Sequence, residues 1–297
     1  MAYERVSRVL LKPRNVVLLT GGILAIKIFP DAFPQLISRP LYQGYHGGRV
    51  RKLQDLQLEE FQEVCRNLGV DAERYHLFVT GRWDIKAKGV SWMPNGVQFG
   101  IPVHFVEEPS IASIRFSDPI KTNLDTKEGQ LFQESFNLSK PARQFALASE
   151  VARIESGHTI AKACLLPTFI AVGYVTTFAA LPMLNFLPRF VALLGIGSVY
   201  MIIYRFSLGQ INESIDLRMD RKVANLSPTY ANGGLEYYEK RIQKNIALRV
   251  LLESKGKKMY SYYGNEHQGI FYSASAPLTS RKDAIKKIVQ QNNKNRN

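Results

Sequence analysis

The chain has 297 residues, of which 45% are hydrophobic and 22% are charged, and its formal net charge is +14 at pH 7. This composition excludes a disordered chain, and the length allows a sizeable core in one or two domains. The two cysteines, Cys65 and Cys164, form no CxxC pair and indicate neither a disulfide framework nor a cysteine zinc site. The basic excess favours an acidic partner, such as nucleic acid or an anionic membrane surface.

Residues 1–30 combine a basic start with a short apolar run. The segment MAYERVSRVLLKPR is rich in arginine and holds one acid, Glu4, as mitochondrial targeting segments do. A secretory signal peptide fits less well, because no small-residue cleavage site follows the apolar run 16–29. That run is short and Lys27 interrupts it. A first membrane span and an anchor at the membrane surface both remain open for it.

Residues 31–162 are predicted to form the first part of an α+β domain. The periodicity of 51–68 predicts an amphipathic helix, which Gly69 would end. Short apolar runs broken by glycine and proline follow, and their alternation predicts a small antiparallel sheet. The runs are 75–80, 97–105 and 111–116.

The next helix is predicted to begin at Ser139, a preferred N-cap residue, with Pro141 in its first turn. It contains the stretch 145–158, FALASEVARIESGH. Within it, 149–153 has the outline of the zinc motif HExxH, in which two histidines bind Zn²⁺ and the glutamate acts as general base. Here the glutamate is present and both histidines are absent. One carboxylate cannot hold a catalytic zinc ion.

Residues 163–205 are predicted to form a transmembrane helical hairpin. The run 163–188 carries no charge and is long enough to cross a hydrocarbon core of about 30 Å. A second uncharged run, 190–204, follows Arg189, which can snorkel to the membrane surface. Lysine and arginine are frequent on both sides of the hairpin and absent from its short turn. The positive-inside rule therefore puts both polar segments on one side of the membrane. Two buried helices of a soluble protein are the alternative.

Residues 206–265 are predicted to form the second part of the same domain, and 266–297 a solvated basic tail. The second span can continue as a helix over 206–226, the Asn-Gly-Gly sequence at 232–234 predicts a break, and 235–254 predicts an amphipathic helix. The predicted fold is thus mainly α with a small antiparallel β-sheet, an α+β domain into which a membrane hairpin is inserted.

The order of these elements resembles that of membrane zinc metallopeptidases. There, a small sheet precedes the HExxH helix, membrane spans follow, and a later helix with Glu-x-x-x-Asp supplies the third ligand. The corresponding residues here are Ser149, Glu150, Arg153, Asp216 and Asp220. The resemblance implies a metallopeptidase-like domain that lacks the zinc ligands, and we expect no metal, no cofactor and no catalytic residue.

Two interpretations of the altered site are open. Arg153 could pair with Asp216 or Asp220 across the two helices, so that an ion pair replaces the metal. Alternatively, Glu150 and Arg153 form a solvated pair, three residues apart on one helix.

Two blocks of the sequence are similar to the mitochondrial transmembrane protein 177 family. They are LFQESFNLSKPARQFALASEVARIES at 131–156 and MDRKVANLSPTYANGGLEYYEKRIQKNIALRVLLESKGKKMY at 219–260, and FQEVCRNLGV at 61–70 matches an earlier family segment. The resemblance implies a non-catalytic, multi-pass protein of the mitochondrial inner membrane. Such a protein stabilises newly made cytochrome c oxidase subunit II and its assembly chaperone early in oxidase assembly. The implied partners are the lipid bilayer, subunit II and the chaperone, with neither nucleic acid nor a small-molecule substrate.

Two other functions remain open. A membrane-bound protein that binds nucleic acid or lipid would use the net charge of +14, although no Gly-rich or aromatic nucleic-acid motif occurs. An atypical hydrolase would need a nucleophile beside a base. Ser149 and His158 are the available pair, but at about 1.5 Å per helical residue they lie about 13 Å apart, too far for a hydrogen bond.

Overall fold

Helices make up most of the computed structural model, which describes residues 12–46, 49–106, 125–183, 189–267 and 275–294. The helices are α1 Pro13–Ala32, α2 Pro34–Tyr42, α3 Asp55–Leu68, α4 Val103–Val106, α5 Lys127–Glu134, α6 Lys140–Glu155, α7 His158–Ala180, α8 Arg189–Ala224, α9 Pro228–Leu251, α10 Glu253–Met259 and α11 Leu278–Lys294. The strands are β1 Tyr45–His46, β2 Arg49–Val50, β3 Tyr75–Thr80, β4 Lys86–Gly89 and β5 Val97–Pro102. The predicted strand 111–116, most of the targeting segment and most of the hairpin turn lie outside the described residues.

The three-stranded sheet is mixed. β5 lies in its centre and pairs in parallel with β3, so that Tyr75 stands opposite Val97. On its other side β5 pairs antiparallel with β4, with Lys86 opposite Gly100. The prediction of an antiparallel sheet is therefore wrong for the two longer strands, while β1 and β2 form a separate antiparallel pair.

The error over 75–80 and 97–105 comes from the strand between them. β4 has the sequence KAKG, which is polar and carries no alternating pattern. It occupies the far edge and reverses the chain direction, so β5 returns parallel to β3. Gly89 (φ 115°) and Gly96 (φ 55°) flank the reversal in the left-handed region that favours glycine. The second predicted run also ends early as a strand, at Pro102, where α4 follows.

The core is centred on α6, which packs against α3, α8 and α9. Its start is as predicted, since the Ser139 hydroxyl accepts a hydrogen bond from the N–H of Ala142 (3.3 Å) and Pro141 lies in the first turn. The end of α3 is also as predicted, with Gly69 in the left-handed conformation. One buried cluster contains residues that precede the membrane hairpin in the sequence, such as Phe61, and residues that follow it, such as Val223. The two polar segments therefore share a core.

The predicted break at 232–234 is wrong, because α9 runs through it. A Cβ at Gly233 would lie 2.3 Å from the carbonyl oxygen of Pro141, and one at Gly234 would lie 2.7 Å from the ring of Phe145. The two glycines are therefore contact residues, which let α9 cross α6 at very short distance.

The C-terminal segment is not simply a solvated tail. α11 places Leu278, Ile285 and Ile288 in the core, while Lys286 and Lys287 remain exposed. The apolar residues recur at helical spacing and form a buried stripe, so the prediction of a solvated tail is wrong for 278–294.

Three helices, α1, α7 and α8, are long and apolar enough to cross a membrane. α7 packs between α1 and α8. Large apolar side chains point outward from all three, among them Val17 (69% exposed), Phe178 (68%) and Ile202 (69%), as expected for surfaces that contact lipid. The two helices of the predicted hairpin are thus present, and the run 16–29 belongs to a third candidate span.

The helix α8 reaches well beyond the membrane region. Its 36 residues extend about 54 Å at about 1.5 Å per residue. About 20 residues suffice to cross the hydrocarbon core. The part after Arg205 therefore continues into the domain, as predicted for 206–226, where α8 packs against α6 and carries Asp216 and Asp220.

Candidate functional site

The residues of the zinc-motif outline lie where α6 and α8 pack together. Ser149, Glu150 and Arg153 are on α6, and Asp216 and Asp220 are on α8. The two helices are in contact, and of these residues Ser149, Asp216 and Asp220 are buried. The fold thus brings the two parts of the outline to one helix pair, but their side chains form separate ion pairs.

The first ion pair lies within α6. The Arg153 guanidinium donates from Nη2 to Oε1 of Glu150 at 2.5 Å, one helical turn away. The negative charge of Glu150 raises the pKa of Arg153, and the more distant Asp216 adds to this effect. Among the described residues, Arg153 forms no ion pair with Asp216 or Asp220, so the predicted bridge across the helices is wrong. The alternative pairing is present, although it is half-buried and not solvated.

The second ion pair joins α8 to α11. Asp220 is fully buried (0% exposed), and Arg281 donates to it from Nε at 2.6 Å and from Nη2 at 2.8 Å. The Tyr238 hydroxyl donates to the same carboxylate at 3.0 Å, and its ring lies 4.9 Å below the Arg281 guanidinium. Burial disfavours the cation, but the neighbouring Tyr238 and Asp220 outweigh burial and raise the pKa of Arg281.

Asp216 completes the attachment of the C-terminal helix. Its Oδ2 accepts a hydrogen bond from the backbone N–H of Ala276 at 3.2 Å and lies 3.8 Å from Nη1 of Arg281. The carboxylates of Asp216 and Asp220 therefore hold the start of α11. Sequence reasoning missed Arg281, and the signal that could have found it is the helical spacing of Leu278, Ile285 and Ile288 around it.

The arrangement of these side chains suits a structural role better than the binding of a metal ion. Guanidinium groups repel a divalent cation and carry no lone pair for it. Within the described residues, no group of three histidine, cysteine, aspartate or glutamate side chains is placed to hold a metal ion. Among the residues that the structure describes, the buried Ser149 hydroxyl has no hydrogen-bond partner and so does not bond to His158, whose Nδ1 lies 2.6 Å from the carbonyl oxygen of Arg153.

A second charged cluster, also missed by sequence reasoning, joins α9 to the loop between β3 and β4. Nη2 of Arg241 lies 3.1 Å from Oδ1 of Asp84, and Nζ of Lys244 lies 3.8 Å from the same oxygen. The Lys244 ammonium is 5.5 Å from the centre of the Trp83 ring, within cation–π range. This cluster stabilises the contact between the sheet and α9.

Comparison with known proteins decides the family. A family model described as Transmembrane protein 177 matches residues 110–297. This chain belongs to the transmembrane protein 177 family. Transmembrane protein 177 of Danio rerio is 29% identical over 98% of each chain, and that of Homo sapiens is 31% identical over 89% of this chain and 88% of its own. That of Mus musculus is 30% identical over 90% and 89%.

The segment matched by the transmembrane protein 177 family model includes both ion pairs. It contains α6, α8 and α11, and therefore Glu150, Arg153, Asp220 and Arg281. No solved structure matches this chain. Membership of a membrane protein family is thus shown by sequence, whereas the metallopeptidase-like fold is not.

The stability of this member of the transmembrane protein 177 family is expected to depend on pH through His104. The His104 ring packs edge-on against Phe105 and Phe136, at 4.9 and 5.0 Å between centroids. Burial, with the nearby Lys244 charge, lowers the pKa of His104 to about 3. In the unfolded chain histidine has a pKa of about 6.5, so the unfolded state takes up the proton first as the pH falls. Stability is therefore lost between about pH 6.5 and pH 3.

The contribution of His104 to the free energy of unfolding is expected to fall by about 2 kcal/mol from pH 7 to pH 5, at about 1.36 kcal/mol per pKa unit. We expect His104→Gln to remove this part of the pH dependence of the unfolding free energy, measured by denaturant titration in detergent. His267→Gln, at an exposed histidine, serves as the control and should leave the pH dependence unchanged. Equal pH dependence in wild type and His104→Gln would contradict a neutral imidazole packed between Phe105 and Phe136.

Proposed function

We propose that this chain is a non-catalytic assembly factor of the mitochondrial inner membrane, which stabilises newly made cytochrome c oxidase subunit II and its assembly chaperone. The proposal rests on the similarity to the transmembrane protein 177 family, and one structural observation carries it. Three apolar helices stand side by side with their outer faces open, on a domain whose metallopeptidase-like positions are filled by ion pairs.

The open faces suit a partner that is itself a membrane helix. Helices associate in lipid through close packing at small residues, because apolar side chains gain little by leaving the lipid. On α8, Gly195 is exposed, and within the described part of the chain no heavy atom lies within 4 Å of a Cβ placed there; Leu194 beside it is 55% exposed. A span of a newly made subunit can approach the α8 backbone closely at this point.

The filled site supports a binding role over catalysis. Glu150, the residue that would act as general base in a peptidase, is held by Arg153, and Asp220 is held by Arg281 and Tyr238. Neither carboxylate is available to activate water. A protein that shields unassembled subunits needs stable contact surfaces, and these pairs stabilise the domain that carries them.

The experiment is affinity purification of the tagged chain from mitochondria in mild detergent, followed by quantitative mass spectrometry. Subunit II and its assembly chaperone are expected among the recovered proteins. Gly195→Leu, which places a bulky side chain on the open α8 face, is expected to reduce their recovery about fivefold, the equivalent of roughly 1 kcal/mol. Val17→Leu, on the exposed face of α1, is the matched control and should leave recovery unchanged.

Two results would contradict the proposed function. One is the absence of oxidase proteins from the wild-type sample when the bait itself is intact. The other is stoichiometric zinc or bound RNA in their place. Expression and membrane extraction of Gly195→Leu must match those of the wild type, since its side chain is directed at lipid and not at the core.

A further inference from the structure

A charged pocket of about 340 Å³ lies where α1, α7 and α8 join the domain. Four cationic side chains line it, from four different elements, together with two carboxylates. The cations are Lys27, Lys88, Arg153 and Lys162, and the carboxylates are those of Asp31 and Glu150. His158 also lines the pocket. With its imidazole neutral, the four cations and two carboxylates give the lining a net charge of about +2.

The carboxylates of the pocket are already engaged. Glu150 is paired with Arg153, and Asp31 lies 3.7 Å from the Nζ of Lys88 and accepts the N–H of Gly89 at 3.3 Å. Lys27 and Lys162 form no ion pair with any residue that the structure describes. The positive charge that remains is therefore carried by these two lysines, one on α1 and one on α7.

Two buried polar atoms of the lining residues also lack a hydrogen-bond partner among the described residues. They are Nε of Arg153, a donor, and Oδ1 of Asn212, an acceptor, and neither has a hydrogen bond within the described part of the chain. An unsatisfied buried donor or acceptor costs about 1–3 kcal/mol, so such a site gains from a ligand that supplies the missing bonds. An anion with a neighbouring hydroxyl or amine offers both.

An apolar groove of about 330 Å³ continues from this pocket between the same three helices. Val16, Leu166, Phe169, Leu193 and Tyr204 are among its lining residues, and Tyr204 also lines the charged pocket. The molecule therefore presents a cationic pocket at the end of the membrane helices and an apolar groove along them, joined at a tyrosine. Tyrosine favours this depth, where the apolar and aqueous regions meet.

We propose that this composite site binds one anionic phospholipid, with its phosphate against Lys27, Arg153 and Lys162 and an acyl chain in the groove. Free phosphate shares the chemistry of the headgroup, but the groove selects a ligand with a hydrocarbon chain. A bound lipid would tie α1 to the α7–α8 pair, because each helix contributes to both parts of the site. The inference does not depend on the proposed role in oxidase assembly.

The full-length protein is first delipidated and reconstituted into nanodiscs of phosphatidylcholine that contain a trace of phosphatidylglycerol. The test then measures how much phosphatidylglycerol stays bound to the protein. Wild type is expected to retain about one phosphatidylglycerol per chain, and Lys27→Ala/Lys162→Ala to bind it at least tenfold more weakly. Each cation near the surface contributes roughly fivefold. Lys286→Ala/Lys287→Ala removes the same charge from the exposed face of α11 and should bind like the wild type.

A third variant separates the two possible phosphate sources. Gly197→Phe fills the groove without touching the charged pocket. It is expected to weaken phosphatidylglycerol retention while leaving any thermal stabilisation by inorganic phosphate unchanged. Equal retention in wild type and Lys27→Ala/Lys162→Ala, with both folded by circular dichroism, would overturn the site. Full lipid retention by Gly197→Phe would overturn the placement of an acyl chain in the groove, and stabilisation of the wild type by inorganic phosphate without retained phosphatidylglycerol would overturn the lipid assignment.

Discussion

Arg281→Ala is expected to lower the free energy of unfolding by about 3–5 kcal/mol, because it leaves a buried carboxylate without its cation. Asp220 has no exposed surface, and Arg281 supplies two of its hydrogen bonds. The Tyr238 hydroxyl alone cannot compensate for a full charge. The loss should release α11 first, since Arg281 also lies close to Asp216 at the start of that helix.

The measurement is denaturant unfolding of the purified protein in detergent, with limited proteolysis to detect release of the C-terminal helix. Lys286→Ala is the matched control, since it removes a cation from the exposed face of the same helix. Its effect should stay within about 0.5 kcal/mol. A loss of less than about 1 kcal/mol in Arg281→Ala, or an unchanged proteolysis pattern, would contradict a structural role for the pair.

Gly233→Ala is expected to destabilise the protein by about 2–3 kcal/mol, although the same change in an exposed helix gains about 1 kcal/mol. The added Cβ would stand 2.3 Å from the carbonyl oxygen of Pro141, and that oxygen belongs to the backbone of α6. A backbone atom cannot turn aside as a side chain does. The two helices must therefore separate, and the contact between the neighbouring Gly234 and the Phe145 ring is lost with them.

The opposite effect on stability is expected for a substitution at the preceding residue. Asn232 is exposed on α9, so Asn232→Ala raises helix propensity without a steric cost and should be neutral or slightly stabilising. Thermal or denaturant unfolding of the two variants side by side gives the comparison. If Gly233→Ala is as stable as Asn232→Ala, the close crossing of α6 and α9 is not present in the protein.

Local signals in the sequence were sufficient for several elements. Ser139 and Pro141 predict the start of α6, Gly69 predicts the end of α3, and long uncharged runs predict α7 and the first part of α8. Each of these signals acts within a few residues of the element that it defines. The pairing of Glu150 with Arg153 is of the same kind, since the two residues are one helical turn apart.

Features that depend on distant residues were not predictable in this way. The parallel pairing of β3 with β5 is imposed by β4, whose polar sequence gives no strand signal. Gly233 resembles a turn residue in sequence, and only the proximity of α6 explains its place inside a helix. Arg281 lies in the segment predicted to be a solvated tail, and its partner Asp220 lies 61 residues away in the chain, beyond the reach of a local signal.

The most direct measurement of whether the acidic positions of α8 are a structural junction is a double-mutant cycle on Asp220 and Arg281. The unfolding free energies of wild type, Asp220→Asn, Arg281→Met and the double variant are compared in detergent. We predict a coupling of about 1.5–3 kcal/mol, with the double variant more stable than the sum of the single losses implies, because it leaves no buried charge unpaired. Additive losses, with a coupling near zero, would show that the two residues do not depend on each other and would contradict the junction.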